Sequence, residues 1–287
     1  MSERLLVVGN LAKDVIDGKE QFGGSAANLA LGAKKMGLGV GIMSVLGRDP
    51  FSKSYREFLG DNGIDISLTP NTLEELPVCE VVSRQNTIAS SVWNDNGCHP
   101  AMDAMEVARP MFESYGLVHL VSCPPKLARN IALTNVHLSF EPGPMLIEDP
   151  TYFDKEVAKL STLMFMNEEE FAAAKKYLEE GFVNQDEYHK LLALVVTLGK
   201  QGVKLFKQTS GNTVELNIPT PCPHSEIVDP TGAGDNFKAG FLSGYMRGRS
   251  LEECVQIGAE MGAACVMQKG GILSDETVDI IREKYKI

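Results

Sequence analysis

The chain has 287 residues, 44% apolar and 23% charged, which is ordinary globular composition and excludes disordered and fibrous classes. Its 38 acidic against 27 basic side chains give a formal charge of -11 with no long basic run, so nucleic acid is not an expected partner. No apolar run reaches the length of a membrane span or of a signal sequence, and the six cysteines form no C-x-x-C pair; we expect a cytoplasmic protein with free thiols, no membrane contact and no zinc or dithiol site.

Short β-branched runs at 5–8, 40–46 and 64–68 alternate with helical patterns at 26–36 and 51–59. The alternation resumes with strand-like runs at 117–121, 136–140, 163–166 and 194–198 and a helical stretch at 168–180. This is βαβ grammar, and it predicts an α/β domain over 1–287 with a mostly parallel sheet covered by helices on both faces. The last third is helical at 236–246, at 251–267 behind a Ser250/Glu253 capping box, and at 276–285. One interval breaks the rhythm: 78–84 and 87–93 read as a hairpin where another crossover is due. We place it with a segment near 15–21 in a small β lid, drawn from about 11–22 and 76–100, that projects over one edge of the sheet. Trp93 falls in this lid and has two readings, packing under the hairpin or stacking on a substrate.

The most informative stretch is Asp229-Pro230-Thr231-Gly232-Ala233-Gly234-Asp235, followed by Phe237, Phe241 and Tyr245 at intervals of four. That interval predicts one buried stripe of a helix beginning just after the glycines. At a helix N-terminus the amides of Gly232, Ala233 and Gly234 are unpaired and can point at an anion, and small side chains let its oxygens come close. Asp235, beside them, is placed to take a proton from an attacking hydroxyl while the amides hold a transferring phosphoryl group. A capped helix after a turn would look the same.

Asp229 to Asp235 resembles the second signature of the ribokinase-like (PfkB) carbohydrate kinases, and Gly23-Gly24-Ser25-Ala26-Ala27-Asn28-Leu29-Ala30, running on to Met36-Gly37, resembles the first. The resemblance spans essentially the whole chain. It implies a ribokinase-like three-layer α/β/α fold and an ATP-dependent, magnesium-requiring transfer of the γ-phosphoryl group to a hydroxyl of a sugar-containing small molecule. By the same resemblance Asp235 is the general base, and the amides of Gly232, Ala233 and Gly234 form the anion hole. Asp14, Gly23, Gly24 and Asn28 approach the acceptor, where charged acceptors suit polyols. Thr197, Gly199, Lys200 and Gly202 belong to a T-x-G-x-x-G loop against the nucleotide, and Asn167 and Glu170 to an N-x-x-E element that holds magnesium, usually through water. Apart from the resemblance, Asn28 reads equally as a polar residue inside a helix, the acidic run after Asn167 as a helix start favoured by its dipole, and Lys200 as a solvated lysine.

Two departures stand out. Gly47-Arg48-Asp49-Pro50-Phe51 resembles the family G-x-D-x-F landmark, but Ser52 stands where glycine commonly follows, so the backbone there must avoid positive φ or accept strain. Ala259 stands near the adenine where many sugar kinases of the family carry asparagine. Asp229-Pro230-Thr231, the phenylalanine-rich helix and Ile257-Gly258-Ala259 resemble the broad-specificity nucleoside kinases more than ribokinases, so the expected acceptor is the ribose 5'-hydroxyl of a nucleoside. A sugar kinase of ribokinase, fructokinase or ketodeoxygluconate kinase type, and a nucleotide- or sugar-binding regulator without turnover, stay open, as does a homodimer through the lid. Other nucleotide enzymes fail on spacing: there is no Walker sequence, and Gly37, Gly39 and Gly41 miss the dinucleotide pattern because Ile42 occupies its third position. The five histidines show no metal-ligand spacing.

Overall fold

The computed structural model describes residues 2–84, 87–178, 188–209, 212–221 and 227–287. Its strands are β1 Arg4–Val8, β2 Ala12–Ile16, β3 Lys19–Gly23, β4 Gly39–Met43, β5 Asp65–Leu68, β6 Val78–Arg84 and β7 Thr87–Asn94. There follow β8 Leu117–Val121, β9 Leu138–Glu141, β10 Leu163–Asn167, β11 Ala193–Thr197, β12 Val203–Thr209 and β13 Asn212–Ile218. Nine of them make one sheet in the order β13-β12-β11-β10-β9-β8-β1-β4-β5. From β5 to β11 it is parallel, as expected; β12 and β13 add an antiparallel edge that the sequence reading did not contain.

Strand β1 explains why the sheet is covered on both faces. Leu5, Leu6, Val7 and Val8 are all fully buried, and their side chains alternate between two cores. Leu5 and Val7 pack with residues of the helices Ser25–Lys35, Pro50–Asp61 and Ala233–Met246, whereas Leu6 and Val8 pack with those of Pro125–Leu133, Lys155–Leu160 and Glu168–Leu178. The helix Ala233–Met246 does not bury a stripe, as expected, but most of its circumference, because it lies between the sheet, Ser25–Lys35 and Leu251–Val266. Phe237 and Phe241 are buried; Tyr245 is half-buried and bonds through its hydroxyl to His137 Nε2 at 3.1 Å.

The break in the rhythm is a separate four-stranded sheet, β3-β2-β6-β7. The single segment expected near 15–21 is two strands, turned at Asp17-Gly18 with φ of 50° and 76°, the positive angles of a two-residue hairpin turn. Strand β2 then pairs in parallel with β6, and β6 antiparallel with β7. The small sheet is fastened by Phe22, whose ring lies 4.5–5.0 Å from those of Phe51, Tyr55 and Phe58. Trp93 packs: its ring stacks on His99 at 6.2 Å.

Several boundaries moved. The run 40–46 ends as a strand at Met43, with Leu46 in an isolated bridge to Asn71. Helices Cys98–Asp103, Pro125–Leu133 and Lys155–Leu160 were not anticipated, and of the expected helix 168–180 the last two residues lie outside the described ones, as do Cys222 and His224. Ser52 keeps out of the left-handed region; its amide donates to Asp49, which caps the helix Pro50–Asp61. Among the described residues no helix is long and apolar enough to cross a membrane.

Candidate active site

Parallel strands deliver their last residues to one edge of the sheet, and ligands of such sheets bind there. Here β9 ends on Glu141, β10 on Asn167 and β11 on Thr197, with Asn167 and Thr197 in direct register. The helix Ala233–Met246 starts at the same edge. Gly232 caps it at φ 74°, a left-handed conformation, and a Cβ there would stand 2.5 Å from Gly271 Cα, so only glycine lets the loop pass so close to the 269–271 turn. The loop is held by side chains. Asp229 accepts from the amides of Thr231 and Gly270, both at 2.9 Å, and Asn236 Nδ2 donates to the carbonyls of Gly232 at 2.9 Å and Gly271 at 2.7 Å. The two amide bonds hold the Asp229 carboxyl below the usual range against the opposing effect of burial. Of the three expected anion-hole amides, that of Ala233 is engaged, donating to Pro230 O at 3.2 Å.

A cavity of about 150 Å³ opens at this edge, lined among others by Glu141, Asn167, Thr197, Gly232, Gly234, Asp235 and Lys238. Asp235 is 8% exposed and joins distant parts of the chain. Asn28 Nδ2, from the helix Ser25–Lys35, donates to its Oδ2 at 3.2 Å, and Lys238 Nζ lies 3.2 Å from its Oδ1. Lys238 also pairs with Glu141 Oε2, and the fully buried His119 brings its Nε2 to 3.8 Å from the same oxygen. Burial pushes the Asp235 carboxyl above its ordinary value, opposed chiefly by the Lys238 ammonium. Burial likewise keeps the His119 imidazole low, hence neutral, with Nδ1 on Ser139 Oγ at 2.5 Å. Lys238 and Glu141 hold each other charged in spite of burial, Lys238 shifted up and Glu141 down.

Asn167 and Glu170 are tied to each other. Asn167 Oδ1 accepts from the Glu170 amide at 2.8 Å and Glu170 Oε2 from the Asn167 amide at 2.9 Å, a reciprocal cap on the helix Glu168–Leu178. Both the capping reading and a place beside the cavity therefore hold for Asn167, while Glu170 lies behind it, 2% exposed. Burial first, and then the Glu141 charge, raise the Glu170 carboxyl to about 7.

A second cavity, of about 240 Å³, shares Thr197, Gly234 and Phe237 with the first. Gly199, Lys200 and Gly202 line one side, and Ala259, Gly262, Ala263 and Val266 of the helix Leu251–Val266 line another, so it is apolar apart from its mouth. Lys200 is exposed at that mouth. On the far side of Asp235 stands β2. Asp14 lies against Gly23, where a Cβ would stand 2.0 Å from its Oδ2, and its carboxyl accepts from the Gly24 amide. Burial, followed by the Asp235 charge, raises Asp14 to about 7. The structure thus brings Asp14, Gly23, Gly24, Asn28, Asp235 and the Gly232 loop together, and gathers Thr197, Gly199, Lys200 and Gly202 round the adjoining cavity. Sequence reasoning passed over Glu141 and Lys238. A lysine one turn beyond Asp235, inside a helix of apolar neighbours, was the available signal for the second; Glu141 carried none.

A model of the pfkB family of carbohydrate kinases matches residues 2–278. A nucleoside kinase of Methanocaldococcus jannaschii is 31% identical over an alignment covering 99% of this chain and 97% of that protein. A cytidine kinase of Thermococcus kodakarensis is 29% identical, with 93% and 97% covered. The crystal structure of the M. jannaschii nucleoside kinase, described as an archaeal member of the ribokinase family, superposes with a TM-score of 0.81 at 27% identity over 98% of both chains.

Proposed function

The chain belongs to the pfkB family of carbohydrate kinases and is an ATP-dependent kinase, and from that premise we propose that it phosphorylates the ribose 5'-hydroxyl of a nucleoside with Asp235 as general base. The observation that carries the reading is the convergence on Asp235: Asn28 from the acceptor side on one oxygen, the Gly232–Gly234 loop beside it, and a cavity leading on to the apolar pocket. The nucleoside assignment is supported by the nucleoside and cytidine kinases among its relatives.

In this reading the adenine end of ATP lies in the apolar cavity under Ala259 and Gly262, with Thr197, Gly199, Lys200 and Gly202 along its phosphates. With alanine rather than asparagine at position 259, the base is held by shape and apolar contact. The amides of Gly232 and Gly234 receive the transferring phosphoryl group at the helix N-terminus, where the dipole favours negative charge. Asp14 accepts hydrogen bonds from vicinal ribose hydroxyls and Asn28 bonds to the same ring, which sets the reacting hydroxyl against Asp235. Asp235 takes the proton as the oxygen attacks phosphorus, and the bond to the leaving ADP oxygen breaks.

Among the described residues no group of three or more His, Cys, Asp or Glu side chains is placed to hold a metal ion directly, so a place for magnesium rests on the chemistry of the oxygen donors and on water between them and the ion. Glu141, Glu170 and Asp235 set three carboxylates round the one Lys238 ammonium, and oxygen donors of this kind suit a hard cation. Asn167 and Glu170 would hold the ion, chiefly through water, and when bound it neutralises charge on the phosphates. The small sheet acts as a lid that excludes water when acceptor binds. Protection of 12–16 and 78–80 from hydrogen exchange at saturating acceptor is expected, and unchanged protection would remove the lid.

The test is ADP formation with magnesium, ATP and a panel of nucleosides, ribose, fructose and ketodeoxygluconate. Turnover with nucleosides well above that with free sugars is expected. Turnover only with a free sugar would replace the acceptor, and silence across the panel would favour a binding role.

A further inference from the structure

A lysine on a helix usually carries its ammonium out to water along its own stem. Lys238 does not: it is 5% exposed, and its Nζ is turned inward by Glu141 at the end of β9. Its spacing of three from Asp235 places both on one helix face, and the ammonium reaches Asp235 Oδ1 at 3.2 Å. A buried ion pair of this kind is a weak source of stability, because well-packed apolar residues of the same volume do as well or better. What it supplies is orientation. With Asn28 Nδ2 on Oδ2, the carboxylate plane of Asp235 is fixed from two sides by donors rooted in different elements.

We infer that Glu141 and Lys238 are positioning residues for phosphoryl transfer: Glu141 holds the Lys238 ammonium on Asp235 Oδ1, and that contact keeps Asp235 aimed at the acceptor hydroxyl as an ionised base. The inference rests on the reading of Asp235 as the base. The groups that face Asp235 are Lys238 on its own helix, Glu141 from β9, Asp14 from β2, Glu170 from the helix Glu168–Leu178, and Asn28 and Cys265 from two further helices. Among these charged side chains only Lys238 is cationic. Without it, every remaining charge opposes ionisation of Asp235, so the proton is held more tightly and the acid limb of the rate profile moves to higher pH.

The experiment compares kcat, both KM values and the pH profile of kcat for the full chain and for Lys238→Arg, Lys238→Met and the doubly neutral Glu141→Gln/Lys238→Met. The last also removes the Glu141 carboxylate that Lys238→Met alone would strand without its partner, so it carries the test if Lys238→Met fails to fold. The neutral variants should lose roughly ten- to a hundredfold in kcat with acceptor and ATP KM nearly unchanged, and their acid limb should move upward. Lys238→Arg should recover most of kcat and the original limb. Placed in Asp235→Asn, the neutral pair should cost less than about threefold more, since a residue acting through Asp235 has nothing left to act on. A folded neutral pair with parent-like kcat and an unmoved limb, or a full additive loss on top of Asp235→Asn, overturns the inference. Parent-like turnover of Asp235→Asn itself would instead remove the base assignment, and this inference with it.

Discussion

On the sheet side of the site, Asp235, Lys238, Glu141, Asn167 and Glu170 satisfy one another, and Asp229 and Asn236 pin the Gly232 loop to the turn behind it. On the small-sheet side, Asp14 faces Asp235 with one backbone amide to oppose burial and a like charge, which together raise it to about 7. The first wall has its ion pairs and loop contacts in place before any ligand arrives, although its buried Glu170 carboxyl is raised as far as Asp14; the second has a raised carboxyl beside the acceptor's place that an acceptor's hydroxyls would satisfy. Phosphoryl transfer needs preorganised dipoles, whereas acceptor capture benefits from groups that improve on binding.

The comparison breaks first at Gly232. Gly232→Ala puts a Cβ 2.5 Å from Gly271 Cα at φ 74°, so the first wall must shift. Loss of one oriented donor predicts a fall in kcat on the order of a hundredfold or more, with melting lowered by several degrees. Steady-state kinetics and a thermal melt check it, and parent-like values would mean that the loop tolerates movement.

Asp14→Asn sharpens the other side. Removing a charged acceptor of sugar hydroxyls should raise acceptor KM roughly tenfold while ATP KM stays within about twofold. In the parent, acceptor KM should rise as pH falls through about 7, where Asp14 takes up a proton, and in Asp14→Asn it should not. Stability should move the opposite way. A carboxyl whose folded pKa lies above its unfolded value contributes stability that is complete below the unfolded value near 3.8 and lost as pH rises through about 7. The uncharged amide in Asp14→Asn escapes that loss, so the variant should melt above the parent at pH 8 and level with it at pH 4. Equal melting at pH 8 would contradict the raised Asp14 carboxyl.

The smallest effect belongs to Lys200, exposed at the mouth of the apolar cavity. Lys200→Ala should raise ATP KM by no more than about threefold, as expected for a solvated charge, and the rise should vanish in high salt. A tenfold rise would give Lys200 a fixed place on the phosphates.

The same contrast decides what could be read without coordinates. The Gly232 loop and Asp235 were legible because the chemistry lies in consecutive residues with a helical repeat behind them, and β1, β8 and β10 because strands buried on both faces are apolar almost throughout. The β2–β3 hairpin was missed although Asp17-Gly18 is a strong turn signal, because its strands are short and Lys19 and Glu20 are polar and exposed. The edge pair β12–β13 was missed because Lys204, Lys207, Glu215 and Asn217 interrupt its apolar pattern. Glu141 was out of reach for a different reason: its partners, Lys238 and His119, stand on other elements, and only the parallel register of β8, β9 and β10 and the helix laid across them set the three side by side.

The most direct test is Asp235→Asn, assayed for ATP binding, acceptor binding and single-turnover phosphorylation of a nucleoside. Asparagine keeps the shape and the contact with Asn28 but cannot take the hydroxyl proton. Both ligands should bind within a few-fold of the parent, while transfer slows on the order of a hundred- to ten-thousandfold, the remaining rate being what the anion-hole amides still provide. A variant that binds both ligands and transfers phosphoryl within a few-fold of the parent would show that Asp235 is structural and that the proton leaves by another route.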